Sequence, residues 1–546
     1  MENFHMQVDE RLVRRAQELR PRLRETIVYP IRLVDIVSHG GEFGAVVSAS
    51  SLEGLGQRPL GRGDRVVFDF GEHRVGYVSF TLTSSGSPAD APAHIRLKFG
   101  ERPLEIAEET ADYRGNISSS WLQEEFLHVD VLPATLRLPR RYAFRYMELL
   151  VLDTSPKYRV CVGDISCTAV SSGDLSAVPP LTGVPEDLAE IDRISVRTLH
   201  ECMQDVFEDG PKRDRRLWIG DLRLQAQINY LTFRNFDLVK RCLYLFAGLT
   251  MNEGQVGAGM FTEPEPRVDD TALFDHSLFF VSCLYDYYQE TGDEEVLADL
   301  WPTARRQIEL SLRQLGEDGI VRDRTGWWCF LDWGEGLNKQ AGAQGVLIYA
   351  LRQALPLAAA AGDAESGRWL QEALTRTLAG AGRLYDEKKG LFVSGANRQV
   401  SWASQVWMVL AEVPATREER VALLTRTFAA KPEIPMNTPY MVHHLVEALI
   451  LSGMQDRALQ ILRDYWGGMV AQGADTFWEV YDPEHPTVSP YGSQSVNSYC
   501  HAWSSTPSYL IRRYLADGAA GKEGCEGFGE KEGMDSPGNQ KGRCKE

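Results

Sequence analysis

Carboxylates crowd one short stretch of this sequence, FEDGPKRDRRLWIGDLRLQ at residues 207–225. Asp209, Asp214 and Asp221 stand five and then seven residues apart, with Trp218 between the last two. Clustered carboxyls repel one another when charged, which keeps one of them protonated near neutrality. That arrangement suits glycoside cleavage, in which one carboxylic acid protonates the leaving oxygen and a second carboxylate activates water or attacks the sugar. An indole beside them offers a flat apolar platform for a sugar face. The same spacing also fits a solvated charged loop in which Arg213, Arg215 and Arg216 pair with the aspartates.

Three other segments carry candidate chemistry. GADTFWEVYDPEHP, residues 473–486, sets Glu479 directly after Phe477 and Trp478 in a link between expected helices. An ordinary exposed glutamate would look the same. NSYCHAWSSTPSYL places His501 at the head of the last expected helix, where a capping or core histidine is the plain alternative. GWWCFLDWGEG, residues 326–336, interleaves Trp327, Trp328, Asp332, Trp333 and Glu335 in a glycine-rich link, which suits sugar binding and aromatic packing equally. No Ser/His/Asp order, Walker loop or GxGxxG before a helix is found. GQVGAG at residues 254–259 has no strand before it and no Lys-Ser/Thr after it.

Two periodicities divide the chain that must position these residues. From 25 to 175, short β-branched and aromatic runs such as RVVFDFG, HIRLKFGE and RYMELLVL alternate with turn residues. They read as antiparallel strands of a β-sandwich. A charged segment at 1–24, expected to be helical, precedes them, and Ser, Gly and Pro at 170–183 read as a linker. From 186 to 516 apolar residues recur at three- and four-residue spacings, predicting helices at 186–207, 217–231, 235–250, 271–291, 296–315, 340–361, 364–382, 400–413, 417–430, 438–453, 455–471 and 498–515. Successive pairs with short links imply antiparallel neighbours. Six hairpins closed into a ring give an all-α (α/α)6 barrel; an open solenoid would show a fixed repeat, and none is visible. Residues 518–546, rich in Gly, Lys and Glu, read as a disordered tail.

Bulk properties narrow the partners. A net charge of −18 without a concentrated Lys/Arg run argues against nucleic acid and suits a neutral small molecule or sugar. The nine cysteines are odd in number and scattered, without zinc-ligand spacing, which points to a reducing compartment and no structural metal. The polar N-terminus lacks the apolar run of a secretory signal, and no stretch is apolar enough for a membrane span. A cytoplasmic location is therefore expected.

Taken together, the four segments resemble the α-L-rhamnosidases of glycoside hydrolase family 78. The similarity runs from FDFGEHRVGYVSF and LKFGERPLEI through the helical region to about residue 515. Its most specific part is DGPKRDRRLWIGD, with FLDWGEG and CHAWSSTP in support. The resemblance implies an inverting hydrolase of terminal α-L-rhamnosyl residues that uses no cofactor. It puts Asp214 at the general-acid position and Glu479 at that of the general base. Asp209 and Asp221 would hydrogen-bond the sugar hydroxyls, Trp218 and Trp333 would pack on the ring, and His501 would reach it from the last helix. Arg213, Asp332 and Trp478 complete the expected binding set. The family often has Glu at the acid position, so Asp214 is one methylene shorter. Another (α/α)6 carbohydrate-active enzyme and a non-catalytic sugar-binding protein are the alternatives, and a homodimer is allowed for.

Overall fold

The computed structural model describes residues 5–516. The expected tail at 518–546 lies outside the described residues.

The N-terminal segment forms a short strand β1 (Gln7–Val8) and a helix α1 (Glu10–Glu18). Asp9 caps α1 by accepting hydrogen bonds from the amides of Arg11 (3.0 Å) and Leu12 (3.2 Å). Leu12 and Ala16 are buried against a helix of the second domain, so this segment docks on the barrel.

Nine antiparallel strands follow: β2 (Arg24–Val28), β3 (Arg32–Val37), β4 (Ala45–Ser50), β5 (Arg65–Gly86), β6 (Ala93–Gly100), β7 (Gln123–Val129), β8 (Ala134–Arg137), β9 (Tyr142–Asp153) and β10 (Tyr158–Ser171). A short helix α2 (Pro103–Ala107) lies between β6 and β7. The first part of β5 pairs with β3, its later part with β10 and β8, and β9 pairs with both. A register shift between Asp69 and Arg74 separates the two parts. The halves of the sandwich share one apolar core, in which Phe68, Phe80, Leu97, Phe99, Phe144 and Val160 meet.

From Glu186 onward the long elements are helices: α3 (Glu186–Cys202), α4 (Ile219–Leu231), α5 (Phe236–Gly248), α6 (Phe274–Thr291), α7 (Glu294–Leu312), α8 (Gln340–Ala360), α9 (Ala364–Arg383), α10 (Trp402–Leu410), α11 (Arg417–Ala430), α12 (Pro439–Leu451), α13 (Gln455–Ala471) and α14 (Pro507–Leu510). Helices α4, α6, α8, α10, α12 and α14 contact one another in that order, and α14 returns to α4. The ring is therefore closed, and the odd-numbered helices from α3 to α13 lie outside it. Burial follows from this placement. The outer α9 buries one stripe (Ser366, Leu370, Leu374, Thr377 and Ala381), while the inner α10 is buried from Ala403 to Leu410.

One expected element differs. A single helix over 498–515 was anticipated, with His501 at its head. Instead Ala502–Ser504 form one 3₁₀ turn, and α14 begins only at Pro507 before passing into a π turn at Ile511–Leu515. The amides needed for an earlier start are already used, since His501 donates to Phe477 O (2.9 Å) and Ala502 to Asp209 O (2.8 Å). Proline at the first helical position, which has no N–H to satisfy, marks the later start. Among the described residues no helix is long and apolar enough to cross a membrane.

Candidate active site

The ends of the inner helices decide where chemistry can occur. The first turns of α4 and α6 and the links before α8 and α14 open onto the same side of the ring, where the positive ends of the helix dipoles favour carboxylates. A cavity there is lined, among others, by Asp209, Asp214, Trp218, Asp221, Glu479 and His501.

Asp209 organises the link between α3 and α4. Its carboxylate accepts hydrogen bonds from the amides of Arg216 (3.0 Å) and Asp214 (3.3 Å), folding the chain around itself. Gly210 makes the turn possible, because a Cβ there would lie 2.5 Å from Arg213 O and 2.7 Å from Ser498 Oγ. Arg215 then adopts φ 63°, so residues 214–218 are not helical. The loop brings Asp214 and Trp218 to the cavity, and only Asp221 lies within α4.

The arginines of this loop are shared out separately. Arg213 forms an ion pair with Glu479, stands 3.6 Å from Asp214 Oδ1, and stacks 4.0 Å from the Tyr491 ring centre. Arg216 pairs with Asp269 at 3.0 Å, and Arg215 donates to Arg141 O at 2.9 Å. Glu479 is further held by the Tyr491 hydroxyl (2.7 Å) and the Ser498 amide (3.3 Å). One guanidinium thus faces both carboxyls expected to do acid–base work.

Burial dominates the electrostatics. It pushes the Asp209 carboxyl up to about 8, with the charge of Asp214 adding to the effect. It raises Asp221 well above the carboxylate range, reinforced by Asp209 and Glu479. Asp214 is raised as well, by burial first, against the opposing pull of Arg213 and Arg216. His501 is pushed well below the usual histidine value by burial and by Arg213, so it sits in the cavity as neutral imidazole. Its Nδ1 and Asp221 Oδ1 are buried without hydrogen-bond partners, 3.7 Å apart, where a ligand's hydroxyls could satisfy them.

Aromatic rings close the remaining sides. Trp333 packs against Tyr491 (5.9 Å) and Trp503 (5.4 Å), and Phe330 stacks on Trp503 at 5.7 Å. Asp275, at the start of α6, accepts hydrogen bonds from the amides of Phe330 (3.0 Å) and Leu331 (2.8 Å), fixing the 326–336 link. These contacts and His276 hold the Asp275 carboxyl down at about 2 although burial opposes them.

Three expected binding residues lie outside the lining. Asp332 turns to the start of α12, accepting from Thr438 Oγ1 (2.7 Å) and the Asn437 amide (2.9 Å), so it anchors the link that carries Trp333. Arg213 acts through Glu479 and Asp214. Trp478 faces the sheet domain, packed against Phe43 at 4.7 Å and under Arg102. Conversely, His276, Phe330, Tyr491 and Trp503 line the cavity without having been singled out. A cue existed for His276, which falls in the first turn of an inner helix; Tyr491 lies in a link whose course no periodicity predicts.

The sheet domain contributes no lining residue, yet it holds the cavity from behind. Lys212 is 2% exposed and bridges Glu101 (3.0 Å) and Glu105 (2.6 Å). Glu101 also accepts from the Tyr499 amide (2.7 Å) and lies 3.0 Å from His73 Nε2. A wider groove between this domain and residues 487–495 shares no residue with the carboxylate cavity. Among the described residues no group of three or more His, Cys, Asp or Glu is disposed to hold a metal ion.

An antiparallel β domain packed behind an (α/α)6 barrel, with carboxyls and aromatic walls at one mouth, defines a six-hairpin glycosidase. Residues 30–169 match the N-terminal domain of glycosyl hydrolase family 78 alpha-rhamnosidases, and residues 184–515 match the bacterial alpha-L-rhamnosidase six-hairpin glycosidase domain. The chain belongs to glycoside hydrolase family 78. A rhamnosidase from Klebsiella oxytoca, solved with rhamnose bound, is 49% identical with a TM-score of 0.91, over 93% of this chain and 99% of that one. A family 78 rhamnosidase of Bacillus sp. GL1 shares the fold at 23% identity and TM-score 0.69; the match covers 82% of this chain but 46% of that one. An alpha-L-rhamnosidase of Formosa agariphila is 20% identical over 207 residues, 37% of this chain and 21% of that protein.

Proposed function

We propose that this protein hydrolyses terminal α-L-rhamnosyl residues from glycosides or oligosaccharides, with inversion at the anomeric carbon. Asp214 acts as general acid and Glu479 as general base. The observation that carries the reading is the contrast between two carboxyls in one cavity. Asp214 is pushed toward its protonated form by burial, whereas Glu479 is ion-paired with Arg213 and hydrogen-bonded by Tyr491.

In the reaction, Glu479 takes a proton from water as the water oxygen attacks the anomeric carbon. Asp214 gives its proton to the departing glycosidic oxygen on the opposite face. Asp209, Asp221 and His501 meet the sugar hydroxyls, and Trp218 and Trp333 cover its faces. The unpartnered Asp221 Oδ1 and His501 Nδ1 support that role. We further propose that the enzyme works in the cytoplasm, a reading supported by seven free, buried cysteines among the described residues.

Turnover of an aryl α-L-rhamnoside, followed by NMR of the first sugar released, tests the reading. β-L-rhamnose as first product is expected. The α-anomer would replace inversion with retention, phosphate-dependent cleavage would indicate a phosphorylase, and rhamnose binding without turnover would leave a sugar-binding protein.

A further inference from the structure

Glu479 draws its hydrogen bonds from one stretch of chain and from a guanidinium seated on that stretch. Its Oε2 faces Arg213 and the Ser498 amide, and its Oε1 accepts from the Tyr491 hydroxyl at 2.7 Å. Arg213 is set by the same stretch, since its Nε donates to Val496 O (3.2 Å) and its guanidinium lies over the Tyr491 ring. A carboxylate oxygen has two lone pairs. The hydroxyl on Oε1 therefore leaves one for a water and fixes the direction in which it points.

Residues 487–498 contain only one 3₁₀ turn, Gln494–Val496, so their course is fixed from outside. The sheet domain supplies the ties. The Asn116 amide donates to Tyr491 O (2.7 Å), Glu108 accepts from Ser495 Oγ, and Glu101 accepts from the Tyr499 amide. Ahead of Glu479, Arg102 donates to Gln472 O (2.5 Å) and Gly473 O (2.6 Å), and Asp475 accepts from the His73 amide (2.9 Å). The base is thus carried by the barrel's chain but held in register by the other domain.

We infer that Tyr491 is a positioning residue for the general base, aligned with Glu479 by the sheet domain. The inference rests on the proposed reaction and adds to it one residue and a role for that domain. The hydroxyl is the working part, because the ring also packs on Arg213 and Trp333 and those contacts survive in a phenylalanine.

Tyr491→Phe deletes the hydroxyl alone. Its kcat on a nitrophenyl α-L-rhamnoside should fall about tenfold to a hundredfold, the value of a hydrogen bond to a charged group. KM and inhibition by free L-rhamnose should stay unchanged. The same loss should appear on a dinitrophenyl α-L-rhamnoside, whose leaving group departs without a proton. An unchanged kcat overturns the inference. A loss that vanishes on the dinitrophenyl substrate also overturns it, by placing Tyr491 with the acid instead of the base. Asn116→Pro removes the amide donor and alters no cavity residue. It should lower kcat about threefold at unchanged KM, and an unchanged kcat overturns the sheet domain's part. If the unaltered protein cleaves no rhamnoside, the proposed function fails instead. Crystal structures of the unaltered protein and Tyr491→Phe then decide the positioning separately: a displaced Glu479 carboxylate supports it, and an unmoved one overturns it.

Discussion

Two buried charge clusters lie back to back on residues 212–214, and they are built on opposite principles. Behind the loop, Lys212 sits between Glu101 and Glu105, and all four carboxylate oxygens have donors or a cation beside them. In front of it, burial raises Asp209, Asp214 and Asp221, neighbouring carboxylates add to the effect, and Asp221 Oδ1 is left unpartnered. The satisfied cluster ties the sheet domain to the barrel. The frustrated one stores proton affinity and open hydrogen-bonding capacity for a substrate. Adjacent residues of one loop therefore serve fold and chemistry, and the difference lies in how completely the carboxylate oxygens are partnered.

That comparison can be broken in four ways. The largest effect should come from the front cluster: Asp214→Asn and Glu479→Gln are each expected to lower turnover of an aryl α-L-rhamnoside by about 10³-fold or more, with melting temperature little changed. Activity near that of the unaltered protein in either variant removes that residue from its role.

Next comes the rear cluster. Lys212→Met leaves Glu101 and Glu105 buried without their cation, and should cost about 3–5 kcal/mol of stability in a denaturant titration. A loss below about 1 kcal/mol, the value of an exposed pair, would mean that the cluster does not hold the domains together.

The third effect is smaller and depends on pH. The Asp209 carboxyl is raised to about 8 when folded, against about 3.9 when unfolded. Between those values the folded state holds the proton that the unfolded state has lost, so this group's contribution to stability is present at low pH and falls as pH rises. Asp209→Asn removes that slope. Its stability relative to the unaltered protein should therefore climb from pH 5 to pH 8, by up to ~1.4 kcal/mol per pH unit. A difference that does not change with pH would show that Asp209 is not strained by its charge.

The smallest effect should follow Trp478→Phe. Because this indole packs on Phe43 and Arg102, away from the cavity, the change should cost about 1 kcal/mol of stability and leave KM for the rhamnoside unaltered. A raised KM would return Trp478 to the substrate side.

What the amino-acid sequence determined by itself is local. Alternating strands before residue 171, helical stripes after 186, and the Gly210 turn in DGPKRD follow from side-chain periodicity and backbone sterics, which act over a few residues. The cluster of Asp209, Asp214 and Asp221 was visible for the same reason, since its members are neighbours in the chain. The tertiary structure decided the rest. Trp478 and Glu479 are adjacent, yet one faces the sheet domain and the other the cavity, because successive side chains of a non-helical segment leave on different sides. Asp332 and Trp333 divide in the same way, the acid turning to α12 and the indole to the cavity. The expected final helix gave way to a short one because amides at 501 and 502 were claimed by Phe477 and Asp209 from other parts of the chain. His276, Tyr491 and Trp503 joined the site only when six inner helices closed their ring, for closure turns distant helix starts and links into one wall. No local pattern records which of those starts will face one another.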